Sequence, residues 1–95
     1  MMYPFLKLND GTMIVYSNIQ KETNEEFMRI RAERWSVKHD DFDTLEFTLP
    51  NCVVQLSQGF TPPEKKFLVQ RVKKFEKLLF QWAKEDQESN SYKQL

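Results

Sequence analysis

Apolar positions along this chain change their period at Thr61: before it they alternate with polar residues, and after it they recur every three or four positions. The first spacing is that of half-buried strands and the second that of an amphipathic helix. Leu68, Val72, Phe75, Leu79 and Trp82 form the helical stripe, and Phe67, Leu78 and Ala83 widen it. Thr61 and Glu64 have the spacing of a capping box, in which each side chain accepts a backbone N–H the helix leaves orphaned. Pro62 follows at the first helical position, where its missing N–H costs nothing, and Gly59-Phe60 supplies the turn before it. One helix over 61–84 is predicted.

Ahead of it, Asp10-Gly11 between two apolar runs signals a two-residue hairpin. That loop pairs Leu8 with Met13, Lys7 with Ile14, Leu6 with Val15 and Phe5 with Tyr16. Leu6, Leu8, Met13 and Val15 are then expected to meet the helix, with Phe5, Lys7, Ile14 and Tyr16 on the other face. A polar connection, 20–25, leads to a third strand over 26–35, where Met28, Ile30 and Ala32 alternate with Phe27, Arg29, Arg31, Glu33 and Trp35. Glu, Met, Arg and Ala favour helix, but strict alternation and length favour the strand. After a charged loop, residues 42–49 alternate again, with Leu45, Phe47 and Leu49 inward and Thr44, Glu46 and Thr48 outward. Pro50-Asn51 interrupts, and 52–56 resumes as a bent continuation or a fifth, edge strand. The predicted fold is α+β: a four- or five-stranded antiparallel β-meander with one C-terminal amphipathic α-helix packed on one face. Residues 1–84 form the single expected domain. In 85–95 the acidic Glu85, Asp86 and Glu88 oppose the helix dipole, which predicts fraying into a disordered tail.

Charge sharpens this layout. The formal net charge of zero conceals polarity, because the segment Glu64 to Lys84 carries six lysines and one arginine against two glutamates. Lys66, Lys73, Lys77 and Lys84 lie opposite the apolar stripe and form a candidate anion-binding stripe; the ordinary reading is the solvated face of a packed helix. One helix covers one side of a sheet, so the second side is open for contacts. There Tyr16, Arg29, Arg31 and Trp35, types enriched at interfaces, make a candidate interaction surface, and Phe80 beside the helical stripe is a candidate extension of it. The ordinary reading of this face is Arg and Glu pairing across strands in solvent.

Known chemistry is sparse. Two glycines leave no Gly-rich phosphate loop, and a lone cysteine excludes an internal disulfide framework and points to a reducing compartment. The N-terminal residues lack the apolar run of a secretory signal, and no stretch approaches the roughly 18 apolar residues of a membrane span. A cytoplasmic location and no membrane partner are therefore expected. His39 among Asp40, Asp41 and Asp43 lacks the ligand spacing of a zinc or calcium site and reads as a solvated acidic turn. Cys52 and His39 form a nucleophile and base only if the fold joins them, and Cys52 alone reads as a small buried hydrophobe. No catalytic residue, metal or cofactor is expected.

An aromatic, arginine-bearing sheet is similar in kind to platforms that stack single-stranded bases. The element order and signature of an RNA recognition motif are absent, and the pI is near 6.6. The expectation is a small non-enzymatic interaction or accessory module, a homodimer or the partner of another cytosolic protein. A nucleic-acid binder using the lysine stripe or the arginine and aromatic face is the alternative.

Asp10-Gly11-Thr12, Tyr16-Ser17-Asn18-Ile19, Glu33-Arg34, the strand ending in Leu49-Pro50, and Gly59-Phe60-Thr61 occur in an order that resembles small uncharacterised bacterial proteins of about this length. The resemblance spans nearly the whole chain. It implies a bacterial or phage-borne cytosolic protein and transfers no catalytic or ligand-binding residue.

Overall fold

The computed structural model describes the backbone of residues 2–93 and the side chains of residues 2–86. Six strands precede two helices: β1 (Met2–Lys7), β2 (Met13–Ser17), β3 (Gln20–Glu22), β4 (Glu25–Ser36), β5 (Asp41–Leu49), β6 (Val54–Gln58), α1 (Pro62–Lys73) and α2 (Glu76–Lys93). All pairings are antiparallel, in the order β1-β2-β4-β5-β6. The α+β class and the antiparallel sheet are as the alternation implies, with more elements than the sequence predicted.

The extra strand comes from the polar connection. Glu22 pairs with Glu25 across Thr23-Asn24, whose φ angles of 51° and 68° are those of a tight type I′ hairpin turn. β4 is long enough to pair with β3 near its start and with β2 further along. Residues 54–58 form an edge strand of their own, closed onto β5 by the Thr48 N–H donating to the Val53 carbonyl at 3.0 Å.

The β1–β2 hairpin departs from expectation. Its loop is Asn9-Asp10-Gly11, three residues closed by the Gly11 N–H donating to the Leu8 carbonyl at 3.0 Å and the Leu8 N–H to the Thr12 carbonyl at 2.8 Å, with Gly11 at a φ of 90°; the Asp10 carboxylate accepts the Thr12 N–H at 2.9 Å and the buried Thr12 hydroxyl at 2.7 Å. Lys7 therefore pairs with Met13 and Leu6 with Ile14, one position away from the two-residue-loop register. A one-residue slip exchanges the faces of a strand. Ile14 and Tyr16 enter the core, while Met13 is 41% exposed and Val15 half-buried on the opposite face. A bulge between Pro4 and Leu6 turns Phe5 towards the helices, where its ring meets Phe75 at 5.7 Å and Trp82 at 5.9 Å. Ile14, Met28, Ile30, Leu45, Phe47 and Leu49 build the sheet side of the core, and Leu68, Val72, Leu79 and Ala83 the helix side.

The single predicted helix is two. At Lys74-Phe75 the Phe75 N–H donates to the Val72 carbonyl at 2.9 Å, a tighter i−3 bond that bends the chain. Leu79 and Ala83 on α2 pack on the same core as Leu68 and Val72 on α1. The capping box forms: the Glu64 N–H donates to Thr61 Oγ1 at 3.4 Å and the Thr61 N–H to Glu64 Oε1 at 2.9 Å. The expected tail at 85–95 falls mostly outside the described side chains, and its last two residues outside the described backbone. Among the described residues, no helix is long and apolar enough to cross a membrane.

Candidate functional site

Both helices pack on the side of Met28, Ile30, Leu45 and Phe47, so among the described residues the other side of the sheet has no layer over it. Across β4 and β5 its rows pair Arg29 with Thr48, Arg31 with Glu46, Glu33 with Thr44 and Trp35 with Phe42. Val15 and Met13 continue these rows in β2, and Leu56 in β6. Trp35 and Phe42 stack edge to face at 5.2 Å and are 52% and 47% exposed. Arg31 lies between two carboxylates, 3.3 Å from Glu33 and 3.8 Å from Glu46. Arg29, Arg31 and Trp35 thus stand where the alternation puts them.

Tyr16 does not. The register slip turns it inward to 4% exposure, and its hydroxyl donates to Asp86 Oδ2 on α2 at 3.1 Å. Burial first, and the Asp86 carboxylate second, push its phenol up to about 12. Phe80 is half-buried at the edge of the core and lines a surface cleft with Lys77, Gln81 and Lys84 on the helix side of the sheet. Of the lysine stripe, Lys66, Lys77 and Lys84 are exposed. Lys73 is tethered, donating to the Pro50 carbonyl at 2.8 Å and to Glu76 at 2.6 Å, and Glu76 raises its pKa.

A second constellation, absent from the sequence-based candidates, sits on the helix side at the start of α1. Arg34 donates to Asp43 Oδ2 through Nη2 at 2.9 Å and Nε at 3.3 Å, to Glu64 Oε2 at 2.7 Å and to Asp10 Oδ2 at 3.2 Å. Its guanidinium also lies 4.7 Å over the Phe60 ring. Arg34 holds the Glu64 carboxyl down to about 2, assisted by the Thr61 N–H, and holds Asp43 below the usual carboxylate range against the opposing effect of burial. Asp10 is lowered first by the Thr12 hydroxyl and N–H, with a smaller part from Arg34. The same partners raise the Arg34 pKa further. His39 Nδ1 stands 3.2 Å from Asp43 Oδ1, joining the β4–β5 loop to the cluster. A Cβ on Gly59, whose φ is +89°, would overlap the Asp43 carboxylate. That close approach explains a glycine there.

The signal for this cluster was present in the alternation. The period that turns Met28, Ile30 and Ala32 inward turns Arg34 inward too, opposite Asp43, which shares a face with Leu45 and Phe47. The central position of the three carboxylates, where a metal cation would sit, is filled by the chain's own guanidinium. Beside it opens a cleft of about 250 Å3 whose apolar walls include Leu8, Phe60, Phe67 and Leu68, with Asp10, Glu64 and Arg34 at one side. His39 and Cys52 are not joined: they flank the two ends of β5, whose nine residues span about 30 Å. No protein-family model matches this chain, and no curated protein or solved structure matches it.

Proposed function

We propose that this chain is a small non-enzymatic interaction module that self-associates through the open face of its sheet. The observation that carries the reading is an uncovered antiparallel sheet on which Met13, Trp35, Phe42 and Leu56 are exposed around a charged centre. Strands about 4.8 Å apart, rising about 3.4 Å per residue, give this face roughly 600 Å2; two such faces in contact bury about 1,200 Å2, the lower end of stable specific interfaces. Arg29 and Arg31 share this face with Glu33 and Glu46, so a second copy finds both signs of charge there to pair with. The free thiol of Cys52 supports a reducing, cytosolic setting.

A nucleic-acid role is the weaker reading. Arg31 is shared between two glutamates, and the exposed lysines of the stripe lie on the helices, across the sheet from the aromatics. Salt-sensitive binding to a single-stranded or double-stranded probe that is lost in Lys66→Glu/Lys77→Glu would restore it.

Sedimentation velocity over a concentration series tests the main reading. The expected result is a monomer–dimer equilibrium abolished by Trp35→Glu, with the far-UV spectrum of the variant unchanged. A strictly monomeric native protein at high micromolar concentration would remove self-association.

A further inference from the structure

We propose that the cleft beside Arg34 receives a single arginine side chain presented by a partner polypeptide. Three segments remote in sequence, Asp10-Gly11-Thr12, Arg34 and Gly59 to Glu64, converge there, and the open sheet face has no part in it. At about 250 Å3 the cleft falls below the roughly 300–1,000 Å3 of pockets that enclose small-molecule ligands, and suits one side chain with its stem.

Charge decides the sign of the occupant. Arg34 marks the site as an anion receptor at first sight, but four of its N–H bonds already point at the chain's own carboxylates. Asp10 and Glu64 in the lining, with Asp43 buried behind Arg34, outweigh that one guanidinium, and all three carboxyl pKa values are lowered. An incoming carboxylate or phosphate meets net negative charge, whereas a cation is drawn in.

Acceptor capacity remains for it. Asp10 Oδ2 accepts one hydrogen bond, from Arg34, and each Glu64 oxygen accepts one, from Arg34 or from the Thr61 N–H. A carboxylate oxygen carries two lone pairs, so each has a second free to accept. The walls select among cations. Phe67, half exposed at the rim, offers its ring, while Phe60, already covered by Arg34, forms the buried wall, and Leu8, Pro63 and Leu68 line the space for an alkyl stem. A planar, weakly hydrated guanidinium stacks on aromatic rings and forks onto carboxylates, while an ammonium remains a strongly hydrated point charge.

The test is an NMR titration of isotope-labelled full-length protein with a capped Gly-Arg-Gly peptide, alongside identical peptides carrying lysine or the neutral isostere citrulline. The arginine peptide is expected to give saturable shifts at Leu8, Thr12, Phe67 and Leu68, with affinity falling as salt is raised. The lysine peptide should bind several-fold more weakly and citrulline should give no saturable shift. Phe67→Ala, a substitution outside the hydrogen-bonded cluster, should weaken arginine binding several-fold while leaving the amide spectrum elsewhere unchanged. No saturable shift with arginine, equal shifts with citrulline or lysine, or undiminished binding by Phe67→Ala would overturn the proposal. Repeating the titration on Trp35→Glu separates the two readings, because loss of the dimer leaves this cleft intact.

Discussion

Arg31 and Arg34 leave the same strand on opposite faces and meet opposite circumstances. Arg31, with a side chain 41% exposed, rests between Glu33 and Glu46, whose side chains are 36% and 15% exposed. Arg34, 22% exposed, is held by three carboxylates over an aromatic ring, and one of those carboxylates, Asp43, is almost fully buried. On the open face a charged pair gains little, because water screens it and two flexible side chains must be ordered to make it. On the covered face the same residue type must be fully partnered, since an unpaired buried charge is costly. Arg34 consequently ties the β1–β2 loop, β5 and the first turn of α1 to one point, whereas Arg31 ties together only neighbouring strands.

Removing each arginine should break that comparison most visibly. Arg34→Ala strips Asp43 of its main partner and is expected to cost about 3 kcal/mol in urea unfolding, by analogy with breaking a largely buried ion pair. A loss below about 1 kcal/mol would show that the cluster does not hold the helix to the sheet. Gly59→Ala attacks the same cluster from the backbone, pairing a positive φ with overlap on Asp43, and should cost about 2 kcal/mol. Unchanged stability there would mean the close approach relaxes freely.

Acid should give a smaller, graded loss. The carboxyl pKa values of Asp10, Asp43 and Glu64 are lowered on folding, so their contribution is complete above the ordinary carboxylate range near pH 4. It is lost as pH falls towards about 2, where Glu64 itself takes up a proton. Chemical denaturation at stepped pH should show a steeper decline over that window in the native protein than in Arg34→Ala, and parallel curves would contradict the assignment. The smallest effect belongs to Arg31→Ala: about 0.5 kcal/mol or less in monomer stability. Its consequence should appear in sedimentation instead, as a weakened dimer, and a large stability loss would mean the open face is structural.

Much of the architecture was legible in local pattern. The capping box at Thr61 and Glu64 and the alternation in 26–35 and 42–49 depend on residues close in sequence, whose geometry is set by period and hydrogen-bond chemistry, whereas the segment after Pro50 was open between a bent continuation and an edge strand. Of the candidate surface, Arg29, Arg31 and Trp35 were legible for the same reason. Tyr16 was not, because hairpin register hinges on loop length, and the loop takes three residues, with Gly11 at positive φ, where two were expected. Phe80, placed by the helical period just outside the stripe, is half-buried at the edge of the core.

By itself, then, the sequence determined the elements with strong periods, the helix start and the inward side of β4 and β5, since these follow from two-residue and 3.6-residue repeats. Only the tertiary structure decided the β1–β2 register, the bend between α1 and α2, and the meeting of Asp10, Arg34, Asp43 and Glu64. Glu64 shows why: one oxygen caps its own helix, as the spacing foretells, and the other reaches Arg34, thirty residues away. A local repeat carries the first bond, but the second exists only because the helix packs across the sheet at that point.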